Sequence, residues 1–407
     1  MTGMSVYLDN SATTRVDPKV VEAMLPFFTE RFGNPSSIHS KGVDAREAVE
    51  VAREQVARLL NAKPSEIIFT SGGTESDNLA IIGAAKAAHA SDSSKNAVVC
   101  SNVEHPAVLN PCKDLAASGF SFFEAKVSAS GILELAEAQK HISSKTALAS
   151  IMLANNEIGS IQPVTAVAKL CHENGALMHT DAVQAVGKIP IDVRKLDVDL
   201  LSLASHKFHG PKGVGALYIR EGVKIKPIFG GGGQERGLRS GTENVPGIVG
   251  LGKAAEIARE NLSFDIEKMG KLRDRLIDGL AVLPRAFLNG DRNQRLPNNV
   301  NYRFLGVEGE ALITLLDEDG ICASTGSACS SKKLKASHVL TALGLADWEA
   351  HGSLRLTLSR FSTQAEVDYA LERIPQAVNT LRRMSPVWAK LERGEKIEDV
   401  GHGEHVH

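Results

Sequence analysis

The stretch SLASHKFHGPKGVGALY, residues 202–218, opens and closes as an apolar run, and between the two it delivers Ser205-His206-Lys207 and then Gly-Pro-Lys-Gly. A short apolar run that stops at Gly and Pro reads as a buried strand, which places Lys207 at the strand's carboxyl end, where open α/β sheets bind ligands. A lysine is by default a solvated surface charge, and this chain carries 46 Lys and Arg residues. The company the strand keeps decides between that default and a catalytic amine.

Working outward, short apolar strands alternate with helical patterns, the signature of an α/β protein with a mainly parallel sheet. Strands are expected over 66–70, 97–101, 146–153, 176–180, 199–204 and 214–219, and helices over 43–60 and 77–88. From about residue 253 a long charged amphipathic helix leads out of this region. Beyond it, 298–304 and 353–361 alternate with period two and are separated by helices near 309–318 and 337–343, which reads as an α+β unit. Nucleotide fingerprints are poor: G-x-x-x-x-G-K-[ST] is missing, and the one G-x-G-x-x-A, 250–255, follows no strand.

The 407 residues suffice for two or three domains with large cores. With 43% hydrophobic and 23% charged residues and a formal net charge of −2, the composition excludes disorder and gives no charge bias toward DNA or an anionic membrane. No long apolar stretch and no signal-peptide pattern is found, and the five cysteines (Cys100, Cys112, Cys171, Cys322, Cys329) form no disulfide framework. A reducing cytoplasm is the expected compartment.

Three segments carry chemistry. In FTSGGTESDN (69–78) a buried strand ends, two glycines turn and Thr74 sits where a helix begins; this is either an anion cradle at a helix N-terminus or a plain turn with a Thr or Ser cap. In ALMHTDAVQAVG (176–187) an apolar strand places Asp181 at its carboxyl end, as the 202–218 stretch places Lys207. A phosphate cradle, an acid and an amine at strand ends match what pyridoxal 5'-phosphate needs: a lysine for the Schiff base, a carboxylate to keep the pyridine nitrogen protonated and a helix terminus for the phosphate. Lys212, in a Gly-flanked loop, reads as a solvated charge.

YLDNSATT, FGNPSS, TSGGTESDN, VEHPAV, NNEIG, HTDAVQ, SHKFHGPKG, RSGTEN and STGSACSS occur in the order expected of a cysteine desulfurase. From Tyr7 to about Trp388 the chain resembles the iron-sulfur cluster assembly type of that family, in the class V branch of fold type I pyridoxal phosphate enzymes. The resemblance implies a large cofactor-binding domain over 15–262 with a mainly parallel seven-stranded sheet between helices. It also implies a smaller α+β domain from 263–390 with the N-terminal segment 1–14, and a polar His-rich tail over 391–407. Lys207 becomes the Schiff-base lysine, Asp181 the pyridinium partner and Gln184 a donor to the phenolic oxygen. His105 stacks on the ring and moves protons, while Gly73, Thr74 and His206 hold the phosphate. Thr242 reaches the phosphate of a neighbouring subunit, which implies a homodimer. Asn156 and Arg355 hold the substrate's carboxylate.

Arg355 has support of its own. In SLRLTLSRF (353–361) Leu354, Leu356 and Leu358 share one face while Arg355, Thr357 and Ser359 share the other, where a guanidinium suits bidentate carboxylate binding or forms an ordinary solvated sheet face. The family pattern has a phosphate-binding serine one position before this chain's Ser205, where Ala204 stands. Either the turn has rearranged so that Ser205 serves, or one phosphate contact is missing, because a one-residue shift in an extended chain points a side chain to the other face.

In STGSACSS (324–331) Cys329 lies among Ser, Gly and Ala with no apolar period, so a loop is expected. The resemblance implies L-cysteine as substrate, with the Cys329 thiolate attacking the substrate's sulfur to leave L-alanine and a persulfide, a step that needs a deprotonated thiol. Cys322, in apolar surroundings, reads as structural. The sulfur would pass to an iron-sulfur scaffold protein, docked by 385–400, with tRNA thiolation as a further outlet. A class V aminotransferase or selenocysteine lyase would share Lys207 and Asp181 without needing the Cys329 segment, and a non-catalytic sulfur-relay scaffold would need neither. Cys171, His172, His179 and Asp181 fit no standard metal spacing, so no metal is expected.

Overall fold

The computed structural model describes residues 4–325 and 336–397. Its strands in chain order are β1 (Val6–Tyr7), β2 (Ile67–Thr70), β3 (Ala97–Ser101), β4 (Ser121–Ala125), β5 (Thr146–Ser150), β6 (Leu177–Asp181), β7 (Leu200–Ala204), β8 (Gly215–Ile219), β9 (Ala286–Leu288), β10 (Asn299–Phe304), β11 (Ile321–Cys322) and β12 (Ser353–Thr357). Seven of them form one sheet in the order β2-β8-β7-β6-β5-β3-β4. The pairs from β4 through β7 are parallel and β8 alone runs against its neighbours β7 and β2.

This sheet is covered on both faces, which is why β3, β5 and β7 are buried at every residue and read as continuous apolar runs. One face packs on the helices Ser40–Leu60 and Val245–Ala281, the other on Gly73–Ser91 and Pro106–Ala117. Parallel strands send their carboxyl ends to one edge. There β2 and β7 flank the start of β8, with Thr70 and Ala204 both in register with Gly215. Gly215 has to be glycine, since a Cβ would lie 2.6 Å from the Leu203 carbonyl oxygen and 2.8 Å from the Gly72 backbone.

A three-stranded antiparallel sheet, β12-β10-β9, builds a separate core with residues of the helices Gly309–Glu318 and Gln364–Arg383. Val6 and Leu8 belong to this second core, because β1 pairs with β11. The 37-residue helix Val245–Ala281 links the two: Ile248, Leu251 and Ala255 lie in the first core, Leu272, Leu276 and Leu280 in the second. It starts well before residue 253, at the Asn244 cap, whose side chain accepts the Gly247 N–H. The G-x-G-x-x-A at 250–255 therefore lies inside a helix, and its glycines serve packing. The strand expected to reach 153 stops at Ser150, and the helix expected from 77 starts at Gly73.

Gly252 lets the helices Val245–Ala281 and Ser40–Leu60 approach, and an alanine there would set its Cβ 2.6 Å from the Ala52 Cα. Gly270, on the same helix, has nothing within 4 Å of the corresponding position. Two Gly→Ala changes in one helix therefore carry opposite signs. Gly252→Ala is expected to destabilise by about 1–3 kcal/mol, as overpacking does, and Gly270→Ala to stabilise by about 0.5–1 kcal/mol, as relief from glycine does. Thermal unfolding of both variants checks the pair.

Candidate active site

The loops that leave β2, β3, β5, β6 and β7 enclose a cleft with about 580 Å³ of open space, lined by Gly73, Thr74, Asp77, His105, Met152, Asn156, Asp181, Val183, Gln184, Ala204, His206 and Lys207. The structure thus gathers in one place most of the residues expected from sequence.

At one end of the cleft the helix Gly73–Ser91 begins at Gly72 with no side-chain cap. The plain-turn alternative required a Thr or Ser cap, so the first amides of this helix are left for an anion. Beside it, His206 on the turn after β7 accepts from or donates to Thr13 Oγ1 at 3.1 Å. Burial first, then Lys207, Lys212 and Lys188, push its pKa down to about 4, so it is neutral at pH 7.

Asp181 ends β6, buried, with Oδ1 accepting the Val183 N–H at 2.8 Å. Burial raises its pKa, while His105 and Lys207 draw it back down. Two further buried carboxyls that the sequence did not single out stand near it. Asp77 lines the cleft, its pKa raised by burial and then by the Asp181 charge. Glu104, which accepts from Ser101 Oγ at 2.5 Å and the Met152 N–H at 2.8 Å, is pushed by burial up to about 8. Asp77 Oδ1 and Glu104 Oε2 have no hydrogen-bond partner among the described residues. Of the three, Asp181 alone has cationic neighbours that favour its ionised form. Burial thus raises the proton affinity of all three, and at Asp181 alone do cationic groups oppose it.

His105 caps the helix Pro106–Ala117, its Nδ1 accepting the Ala107 N–H at 3.1 Å, which leaves the proton of the neutral ring on Nε2. Burial holds its pKa below the usual histidine value, with Asp181 opposing. Lys207 Nζ donates to the carbonyls of Ser11 at 2.6 Å and Ala12 at 2.8 Å, so the segment after β1 folds over the amine. Gln184 Nε2 donates to the same Ser11 carbonyl at 3.0 Å.

Arg355 lies on β12 with only 4% of its surface exposed, and Thr357 and Ser359 are buried beside it. The face is covered, which removes the solvated-face alternative. Its Nη1 donates to the Asn156 carbonyl at 3.1 Å and its Nη2 pairs with Asp9 Oδ1 at 2.9 Å, while Nε has no partner among the described residues. The backbone of Arg355 also pairs with Ser324. Cys329 and the rest of 326–335 lie outside the described residues, as do 398–407 of the His-rich tail. On the described residues that flank the Cys329 segment, the Thr325 carbonyl accepts Ser353 Oγ at 3.1 Å, Ser337 Oγ donates to Glu157 at 2.5 Å and His338 Nε2 donates to the Glu104 carbonyl at 2.9 Å.

Two expected residues stand elsewhere. Ser205 is fully buried and points away from the cleft against Gly210, a Cβ on which would lie 1.9 Å from Ser205 Oγ. The turn has not rearranged: Ala204 faces the cleft and the hydroxyl faces the other way, as pleating dictates. Thr242 is exposed and outside its own chain's cleft. The four residues Cys171, His172, His179 and Asp181 are dispersed, with His172 on Asp197 and Asp199 and His179 between Ser150 and Ser202. Among the described residues no helix is long and apolar enough to cross a membrane.

These residues fit pyridoxal 5'-phosphate: uncapped amides for a phosphate, an acid flanked by cationic groups for a ring cation, and an amine at hand. Residues 6–370 match the family model described as Aminotransferase class-V. The chain is 53% identical over 386 residues to a Methanosarcina thermophila protein named "Cysteine desulfurase IscS", covering 95% of each, and 50% identical over 386 residues to one of the same name from Clostridium botulinum, covering 94% of this chain and 96% of that one. Among solved structures, a "NIFS-LIKE PROTEIN" superposes with a TM-score of 0.86 at 44% identity, covering 93% of this chain and all of the other. A NifS-like protein from Rickettsia africae superposes with a TM-score of 0.82 at 31% identity, covering 92% and 100%.

Glu104 gives a pH test. The unfolded chain releases this proton near the ordinary carboxylate value and the folded chain only near 8. Between those limits the folded state holds the extra proton, so stability falls as pH rises by up to about 1.4 kcal/mol per pH unit. Glu104→Gln is expected to remove that slope, its melting temperature gaining on the native protein's from pH 5 to pH 8. Parallel melting curves would contradict it.

Proposed function

We propose the following chemistry for this chain, which belongs to the aminotransferase class-V family: it binds L-cysteine in the cleft, passes the substrate's sulfur to Cys329 and releases L-alanine. The chain is a pyridoxal-phosphate-dependent cysteine desulfurase. The observation that carries the reading is the convergence of Lys207, Asp181, His105 and the uncapped helix at Gly73 on one edge of the sheet.

When bound, pyridoxal 5'-phosphate supplies an electron sink for the pair released at the substrate's Cα. The amides of Gly73 and Thr74, with His206, hold its phosphate. Asp181 meets the ring nitrogen as the one buried acid of the cleft with cationic groups beside it, Gln184 the phenolic oxygen, and Lys207 is the covalent anchor. Arg355 takes the substrate's carboxylate through the buried guanidinium, with Asn156 beside it. Lys207 Nζ is placed to hold the proton taken from Cα, and His105 Nε2 to return one. The Cys329 thiolate attacks the substrate's sulfur; an S–S bond forms, the Cβ–S bond breaks, and the carbon's electron pair is protonated. The products are L-alanine and a Cys329 persulfide. The described residues that flank the Cys329 segment support this assignment: Ser324 pairs with Arg355, which bonds the Asn156 carbonyl, and Ser337 bonds Glu157, next to the cleft residue Asn156.

A second copy of the chain completes the phosphate site. Thr242 is exposed and outside its own cleft, and Leu25, Phe28, Phe32 and Ile38 are exposed apolar side chains suited to such a contact. An iron-sulfur scaffold protein then accepts the sulfur, near the C-terminal helix Pro386–Glu392.

Two measurements test the reading. A visible cofactor band, with alanine and sulfide produced from L-cysteine by the native protein and lost in Cys329→Ser, is expected; alanine formed by the mutant at the native rate would contradict the sulfur transfer. Ala204→Ser sets a hydroxyl into the cleft close to Gly73, and one added hydrogen bond of about 1 kcal/mol should tighten cofactor binding about fivefold. Unchanged affinity in an apoprotein titration would show that the missing contact is immaterial.

A further inference from the structure

Lys188 is a buried amine that nothing above uses. It is 5% exposed and, among the described residues, has no carboxylate within ion-pair distance. A buried charge without a counter-ion is costly and calls for a reason. Its Nζ donates to the Gln184 carbonyl at 2.9 Å and lies 3.5 Å from Gln184 Oε1. It shares with Lys207 a small cavity whose other charged or titratable walls are His209, Asp265 and Arg360. Asp265 is taken by Arg360 at 3.1 Å, and His206 and His209, both held neutral by burial, supply no counter-charge.

With Oε1 of Gln184 drawn toward this ammonium, the amide's other end faces forward: Nε2 donates to the Ser11 carbonyl that also accepts Lys207 Nζ. The chain of contacts runs from Lys188 through Gln184 and Ser11 to Lys207. We propose that Lys188 is a positioning residue: it fixes the Gln184 amide with its NH2 toward the cofactor's phenolic oxygen, and its charge lowers the proton affinity of the Lys207 nitrogen. A flipped Gln184 would present a carbonyl to that oxygen and repel it. The electrostatic half is reciprocal, since burial and the Lys207 charge together bring Lys188 itself down to about 7. Both halves act in one direction, because a donor to the phenolic oxygen and a cation behind the nitrogen each disfavour protonation of Lys207.

This rests on the reading that Lys207 carries the cofactor, and the test separates the two. The visible band of the full-length holoenzyme is titrated with pH for the native protein, Lys188→Met and Lys188→Gln. The band is expected to titrate about one pH unit higher in Lys188→Met, a tenfold rise in proton affinity, and by a smaller step in Lys188→Gln, which keeps a donor. The Lys188→Met apoprotein should melt at or above the native temperature at pH 7, since burying an amine whose pKa falls on folding costs stability there; a purely structural lysine would lower melting and leave the band in place. A band that titrates at the native pH in Lys188→Met overturns the inference, and should that variant take no cofactor, the same result in Lys188→Gln does so. A band that persists in Lys207→Ala overturns the underlying assignment of Lys207 and the inference with it.

Discussion

Burial of charge at one edge of a parallel sheet is the constraint on which the rest of this structure depends. Strands that run the same way deliver Asp181 and Lys207 to a common edge, and helices on both faces of the sheet exclude water from it. In that setting three carboxyls cannot all be ionised. Burial raises the pKa of all three, Glu104's to about 8, and only at Asp181 do His105 and Lys207 oppose the shift. An acid with cationic groups beside it suits the task of meeting a protonated ring nitrogen.

The second core completes the site from across the cleft. Because β1 pairs with β11, the residues after β1 are held between the two cores, where Ser11 and Ala12 turn their carbonyls to Lys207 and Asp9 meets Arg355. Arg355 in turn sits on β12 of the second core and reaches the Asn156 backbone of the first. The amine and the guanidinium are thus positioned by one short N-terminal segment. Movement of one core against the other would alter both at once.

Much of this was legible in the sequence, for physical reasons. Strands buried on both faces announce themselves as unbroken apolar runs, and their ends at Asp181 and Lys207 mark the ligand edge. His105, Gly73 and Thr74 came with motif and turn. Asp77, Glu104 and Lys188 did not, because a charged residue in a helix or loop looks solvated until its neighbours in space are known; the only signals were Glu104 adjoining His105 and Asp77 one turn from Thr74. Arg355 illustrates the same limit, since period-two alternation says which side chains share a face and not whether that face is covered. For Ser205 the sequence left two outcomes open, and the structure shows the hydroxyl buried against Gly210, away from the cleft.

The central claim is that Lys207, and not the buried amine behind it, is the nucleophile that anchors the cofactor. Borohydride reduction of the holoenzyme followed by peptide mass mapping tests this most directly. The account predicts the cofactor's added mass on the peptide containing Lys207 and on that residue alone. The same mass on Lys188, or on no lysine at all, would contradict it.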